Sequence, residues 1–536
     1  MAGSGKRIPR AERPWSKAGK EGPWDAIVVG SGMGGMTAAA FLAKLGRRVL
    51  VLEQHYVPGG FTHTFTRPGY EWDVGVHAIG EVTSHTMTGR LLERLTEGRL
   101  EWASLGPVYD EFYYPDGFRI DFPDTPEQFV QNLLAAFPDE ETAIRKYVGI
   151  ARSFGSAVRG YYMGRALPKP LGWVGNRMGR KAMELFQKPS HEAVAELTDN
   201  PKLQALFVSQ WGYYGSPPSR SSFGMQALVV RHFLHGAYYP VGGSGRIALE
   251  LLRTVADAGG WTRIRADVDE ILVEKGRAVG VRLTNGEEIR AKKVISATGV
   301  ATTVKRLLPE TEANAPWAQA VAELPPAPPH VCLYLGFKGD ISAAGAGAAN
   351  KWFYDTWDPE VAYWEVSPDA PVPDAPVLYC SFPSLKDPAY EPGPDLRHTG
   401  EVVTFVPWSV FEPWRGSNWK RRGDEYEAFK TAMTEKLKAQ LFARLPGLEP
   451  LLDFAELSTP LSTDHFCRPN QGSIYGLEPT PERFACPHLS PRAPIPNLFF
   501  AGGEVTSVGV MGAMVGGMLA AIAAEPISAM RYLKSV

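Results

Sequence analysis

Gly30, Gly32 and Gly35 stand in the spacing G-x-G-x-x-G, and an acid, Glu53, lies 23 residues beyond the first of them. The apolar run Asp25-Ala-Ile-Val-Val leads into these glycines, and a helix-forming stretch from Met36 to Leu45 follows, closed by Gly46. The motif therefore has the strand and helix that it needs. The first glycine permits a tight turn, the second lets the backbone approach a pyrophosphate, and the third lets helix and strand pack closely. Gly34 adds a fourth small position in the same turn. A helix N-terminus here offers unpaired N–H groups and a positive dipole end to phosphates. Glu53 ends a second apolar strand, Arg48–Glu53, where it can accept from ribose hydroxyls. A glycine-rich structural turn is the competing reading, and strand, helix and acid together favour a bound dinucleotide. Gly243-x-Gly245-x-x-Ala248 and Gly345-x-Gly347-x-x-Asn350 repeat the spacing loosely but follow no buried-strand pattern. A second dinucleotide site is not expected; a cofactor that stays bound is.

A second glycine-rich block lies near the other end of the chain. Asn497–Ala501 reads as a short strand, Gly502-Gly503-Glu504 as a turn, and Gly509–Gly517 as a helix start made of small residues. Such a helix can begin against a flat ring, and its N-terminus stabilises negative charge there. Close helix packing is the alternative, and the acid Glu504 favours the ring. Gly503, Glu504, Gly512, Ala513 and Met514 are the cofactor-contact candidates of this block. Val505–Ala524 runs twenty residues without a charge, long enough to cross a bilayer. It is poor in Leu, Ile and Phe, so a buried helix is expected.

The elements that must bring these blocks together are spread along the chain. Leu91 to Tyr239 reads as mostly helical with aromatic loops. Asp267–Glu274 and Ala278–Leu283 are strand patterns followed by the hairpin signal Asn285-Gly286. Lys293–Gly299 is another buried strand. Pro325 to Pro481 alternates strands with Pro- and Trp-rich loops and carries one amphipathic helix near Tyr426–Leu445. The expected fold class is α/β: a Rossmann-type domain built from the discontinuous segments 24–100, 240–310 and 482–536. An α+β substrate domain, 101–239 and 311–481, is inserted between them, and residues 1–23 form a basic flexible tail.

Composition narrows the function classes. With 44% hydrophobic and 21% charged residues in 536, a disordered chain is excluded. The net charge of −2 leaves no polyanion-binding field, so nucleic acid is not an expected partner. The four cysteines stand 48, 87 and 19 residues apart without a CxxC pair. No zinc site or dithiol pair is readable, no metal is expected, and the pattern suits a reducing compartment. No secretory signal is visible. Arg159 to Lys188 holds seven Lys/Arg and one acid, interleaved with Tyr161, Tyr162 and Trp173. That mixture suits an anionic membrane surface, with a solvated helical face as the alternative. A cytoplasmic or peripherally membrane-associated protein is expected; no oligomer interface is readable.

The motifs Asp25–Gly35, Glu53, Pro58-Gly59-Gly60, Asp73-Val-Gly-Val-His77, Tyr239-Pro-Val-Gly242-Gly243 and Ala501–Gly517 resemble the phytoene desaturase, carotenoid cis-trans isomerase and retinol saturase group. These are FAD-dependent flavoproteins with an amine-oxidase-like fold. The resemblance implies FAD held by the Gly30 loop and Glu53, with Gly59 and Gly60 beside the flavin and Val268 at the adenine. It also implies Glu504 on the ribityl chain, where many relatives have Asp. His77, Glu81 and His63 follow the Gly59-Gly60 loop and are the catalytic candidates. Tyr239, Asp464 and His465 rank below them, and Cys486 is a remote candidate for a covalent flavin anchor. The implied activity is an FAD-dependent oxidoreductase on carbon–carbon double bonds of a long apolar polyene, by saturation, desaturation or cis-trans isomerisation. His77-Ala-Ile-Gly80-Glu81 looks more like the saturase and isomerase side. A flavin amine oxidase, or a non-catalytic prenyl- or lipid-binding protein on the same fold, are the alternatives.

Overall fold

The computed structural model describes residues 12–167, 177 and 179–536. Ala26–Val29 and Val49–Glu53 are buried at every position, as strands covered on both faces of a parallel sheet must be. They lie inside a six-stranded sheet. Its order is Trp15–Ser16, Trp261–Ile264, Val49–Glu53, Ala26–Val29, Val294–Ser296, Leu498–Phe500, and every neighbouring pair is parallel. Three distant stretches of chain thus meet in one sheet. The edge strand is a departure from the expected flexible tail. Trp15 and Ser16 pair with Thr262 and Arg263, and the Lys20 ammonium sits 3.8 Å over the Trp261 ring. Trp15, an aromatic among cations, is what the sheet recruits.

Helices Met33–Lys44 and Gly509–Ala524 pack side by side on this sheet, and their small residues let the backbones touch. A Cβ on Gly517 would stand 2.2 Å from the Gly34 carbonyl oxygen, and one on Gly516 would stand 2.1 Å from that of Gly502. The uncharged run is therefore a buried helix. Among the described residues no helix is long and apolar enough to cross a membrane. Beside the sheet, Val268–Glu274, Arg277–Leu283 and Glu288–Arg290 form a meander. Its first turn is Lys275-Gly276, both with positive φ, the conformation that tight hairpins require. Asn285-Gly286 makes the second.

The inserted region is built on a seven-stranded sheet. Its order is Leu452–Ser458, His330–Lys338, Arg397–Phe405, Val377–Ser381, Asn350–Tyr354, Val108–Tyr113, Arg119–Pro123, and only the pair Asn350–Tyr354 with Val108–Tyr113 is parallel. Helix Asp424–Arg444 covers one face, with Val331, Leu333, Leu335, Leu378, Cys380 and Val402 in that core. The strand period of two sends Cys332, Tyr334, Trp352, Tyr379, Val403 and Phe405 to the opposite face. His330, Asn350, Ser381 and Glu401 share that second face by the same alternation. It turns toward the glycine-rich loops.

Candidate active site

A single elongated cleft, with about 2150 Å³ of space not filled by protein when its open mouth is included, runs from the first sheet to the second. Gly30, Gly32, Gly34, Glu53, Gly60, Val268, Gly503, Glu504 and Ala513 line it, together with His63 and His77. The glycines divide the work as their spacing predicts. Gly30 has φ +94° and donates to Leu52 O at 2.8 Å. A Cβ on Gly35 would stand 2.1 Å from Gly30 O, so this position serves helix–strand packing. On Gly32 a Cβ would meet nothing within 4 Å. That opening, at a helix N-terminus, is the space a pyrophosphate needs. Gly60, with φ +55°, lies against Gly32: a Cβ there would stand 2.9 Å from the Gly32 Cα.

Glu53 is buried and multiply engaged. Its Oε2 accepts from Ser31 N at 2.9 Å and Ser31 Oγ at 2.6 Å, and its Oε1 accepts from His55 N at 2.8 Å. Ser31 Oγ in turn accepts from Gly59 N at 3.1 Å. The acid thus ties the first glycine loop to the second while lining the cleft beside Val268. Glu504 lines the cleft and is also held by the protein. Its Oε2 accepts from Ala301 N at 3.0 Å, at the start of helix Val300–Arg306. Burial pushes its carboxyl above the usual range despite that bond and the nearby Arg483 guanidinium. It positions the Gly299 turn in the cleft wall.

The far end of the cleft is aromatic, with Tyr213, Trp352, Tyr379 and Phe405 in its wall. Behind it lies a buried polar network. His77 Nδ1 stands 2.9 Å from Glu401 Oε2, but the pair is not aligned for a hydrogen bond. Burial pushes the His77 imidazole down to about 3 and holds the Glu401 carboxyl well above the usual range. Lys386 Nζ donates to His77 O and to Ser381 Oγ, each at 2.7 Å, and to Asn350 Oδ1. Burial lowers this ammonium to about 7. Asp73 accepts from Ser244 N at 3.2 Å, from Ser244 Oγ and from Tyr239 OH, and burial raises it to about 7. Asp110 accepts from Tyr213 OH at 2.8 Å and Asn350 Nδ2 at 2.9 Å, and burial raises it to about 6. Desolvation likewise lowers His330 to about 3 and His63, whose Nδ1 meets Gly60 O, to about 4.

Several expected residues stand elsewhere. Glu81 does not line the cleft. Its chain has φ +54°, and its carboxylate faces Arg231 at 3.4 Å and His232 Nδ1 at 3.7 Å. Gly512 and Met514 are off the cleft as well. A Cβ on Gly512 would meet Ser507 O at 2.0 Å, and Met514 points into the core. Helical periodicity leaves Gly509, Val510 and Ala513 as the helix residues on the cleft. Asp464 and His465 line a second, basic hollow beside Arg306 and Arg415. Tyr239 is off the cleft lining and donates its hydroxyl to Asp73, and Cys486 is outside the lining as well. Of the basic–aromatic stretch, residues 168–176 and 178 lie outside the described residues. Glu401, Lys386, Asp110 and His330 are not legible from the sequence as site residues. The signal that points to them is a charged or polar residue on the apolar-alternating face of a central strand, or just beyond one.

Residues 33–410 match the family described as flavin containing amine oxidoreductase. The chain is 32% identical to an all-trans-retinol 13,14-reductase of Rattus norvegicus over 515 residues, covering 92% of this chain and 84% of that protein. It is 27% identical to a chloroplastic prolycopene isomerase of Daucus carota, covering 86% and 73%. Its fold is similar to that of a cyclohexylamine oxidase from Brevibacterium oxydans, with TM-score 0.57 and 18% identity over 96% of this chain and 99% of that one.

Proposed function

The chain belongs to the flavin-containing amine oxidoreductase family, and from that premise we propose that it is an FAD-dependent oxidoreductase that saturates a carbon–carbon double bond of a retinoid-type polyene. The glycine cradle fits the cofactor: the opening at Gly32, the left-handed Gly30 and Gly60, and Glu53 beside Val268 form one continuous wall. Gly30, Gly32, Gly34, Glu53, Gly59 and Gly60 would hold the dinucleotide, with Gly35 seating the helix behind them and Gly503 and Ala513 toward the ring. FAD, when bound, supplies the hydride for such a reduction. The observation that carries the reading is the join within one cleft of this cradle to an aromatic chamber backed by His77 and buried carboxyls.

The residues of the chain do the rest. Tyr213, Trp352, Tyr379 and Phe405 exclude water and orient an apolar polyene along the cleft. His77 delivers the proton at the carbon next to the one that receives hydride; His63, seated against Gly60, orders the loop beside the ring. Segments 24–100, 240–310 and 482–536 form the cofactor domain in this reading, and 101–239 with 311–481 the substrate domain. An anionic membrane surface as the source of so apolar a substrate is supported by the cation-rich composition of 159–188. The 32% identity to a retinol reductase favours polyene reduction over amine oxidation, and the intact cradle disfavours a cofactor-free lipid carrier. The test is anaerobic mixing of the reduced holoenzyme with all-trans-retinol and with carotenes. Flavin reoxidation with a product two mass units heavier is expected for the retinoid. Altered cis-trans ratio with the flavin still reduced would assign an isomerase, and no change with any polyene would refute the reading.

A further inference from the structure

The three buried carboxyls of the network are not alike. Asp73 is tied by Ser244 and Tyr239, and Asp110 by Tyr213 and Asn350. Glu401 sits on strand Arg397–Phe405, opposite Tyr334 on one neighbour and Ser381 on the other. Its side chain is 0% exposed, and beyond the Asp73 backbone N–H neither oxygen has an aligned hydrogen-bond partner. A buried carboxyl left this way is costly, so a structural role would predict donors around it. Its close side-chain neighbour is His77 Nδ1, at 2.9 Å. The other ring nitrogen, Nε2, has no protein partner and is not among the buried unpartnered atoms, and the ring lines the cleft.

We propose that Glu401 is a positioning residue that acts through His77, holding at Oε2, 2.9 Å from Nδ1, a proton that passes to Nδ1 when the two groups align as His77 gives up its Nε2 proton to the substrate. This rests on the reductase reading above. A neutral imidazole is a feeble acid unless its other nitrogen gains a proton as the first one leaves. Burial keeps His77 neutral, so it needs that second proton. In the step, the Nε2–H bond breaks and its proton goes to the substrate carbon, while the Oε2–H bond breaks and Nδ1–H forms. The imidazole ends neutral in its other tautomer and Glu401 ends as a carboxylate. The hydride for the adjacent carbon would be supplied by bound, reduced FAD, and one solvent proton resets the pair in each cycle.

The surroundings suit this exchange. The Lys386 ammonium and the Asp73 backbone N–H favour the carboxylate that forms, and Glu401 in turn holds the Asp73 carboxyl up. Lys386 is not ion-paired to Glu401 and is fixed instead by three acceptors. Cys332, Tyr334, Tyr239 and Tyr379 complete the ionisable groups around the carboxyl, and burial holds all four neutral.

The experiment uses FAD-loaded Glu401→Gln, Glu401→Asp and His77→Asn beside the wild type. Turnover should fall about 100-fold or more in Glu401→Gln, in kcat with KM little changed, and recover in part in Glu401→Asp. The wild-type kcat should decline at alkaline pH as the acid form of Glu401 is lost, and Glu401→Gln should lack that limb. Infrared spectra of the resting holoenzyme should show a carboxylic-acid carbonyl band that vanishes in Glu401→Gln and shifts in His77→Asn. A Glu401→Gln kcat within twofold of wild type, or a wild-type spectrum without that band, would overturn the proposal. If the wild type reduces no polyene, the reductase reading fails, while the infrared spectra still decide whether Glu401 holds the proton against His77.

Discussion

At the cofactor end of the cleft the protein presents backbone; at the far end it presents side chains. Gly30, Gly32, Gly35, Gly59 and Gly60 work by having no Cβ, and their one acid is tied to neighbours within a few residues of those glycines. The far end is made by His77, which reaches the cleft, backed by Glu401, Lys386, Asp73 and Asp110, which come from different strands and loops and are buried. A backbone site tolerates chemistry poorly but binds tightly by close approach. A buried side-chain site costs folding stability and can move protons in return.

The comparison is most directly broken at His77. His77→Asn should lower turnover by about 10²- to 10⁴-fold while the purified protein keeps its yellow flavin absorbance. Loss of the flavin from this variant would mean that the two ends are not separable. Next in size is a matched pair of glycines. Gly35→Ala puts a Cβ 2.1 Å from Gly30 O and should cost about 1–3 kcal/mol, as overpacking does, seen as a lower unfolding midpoint in the apoprotein. Gly32→Ala meets no protein atom within 4 Å and should leave that midpoint within about 0.5 kcal/mol. It should nonetheless weaken FAD retention on dialysis; full retention would show that the opening at Gly32 is not the phosphate seat.

A smaller effect is expected with pH. His63 titrates at about 4 and His77 and His330 at about 3 in the folded state, against about 6.5 when unfolded. Between those values the unfolded chain binds more protons, so stability contributed by these neutral rings is lost as pH falls through that window. His330→Gln removes one of them and should make the acid limb of denaturant-measured stability less steep. An unchanged slope would mean that His330 is solvated in the folded state. The smallest effect belongs to Cys486. Cys486→Ala should leave flavin content unchanged, with acid precipitation releasing the flavin as from wild type, because the thiol lies off the cleft.

The cofactor end was legible because its determinants are local. Strand, glycine spacing, helix and Glu53 occupy one βαβ start, and each has a residue-type signature. Three glycine blocks could be matched to one sheet because their strands read as buried runs. Local reading also misled. Glu81 follows His77 by four residues, yet the left-handed turn at Glu81 carries its carboxylate away to Arg231 and His232. Gly512 and Met514 sit in the right helix, but its rotation turns Ala513 and Val510 to the cleft. Trp15 was masked by its basic neighbours and becomes an edge strand.

Taken alone, the chain's residues determine the dinucleotide cradle, the buried nature of the Gly/Ala helix and the alternation of the substrate-domain strands. Each depends on steric and hydrophobic preferences that act within a few residues. Only the tertiary structure decided that Glu401 meets His77 and that Lys386 is locked between His77 and Asn350. The pairings with His77 depend on strand order and register across about three hundred residues of chain, and a buried charge acquires its protonation state only from the neighbours that folding assembles around it.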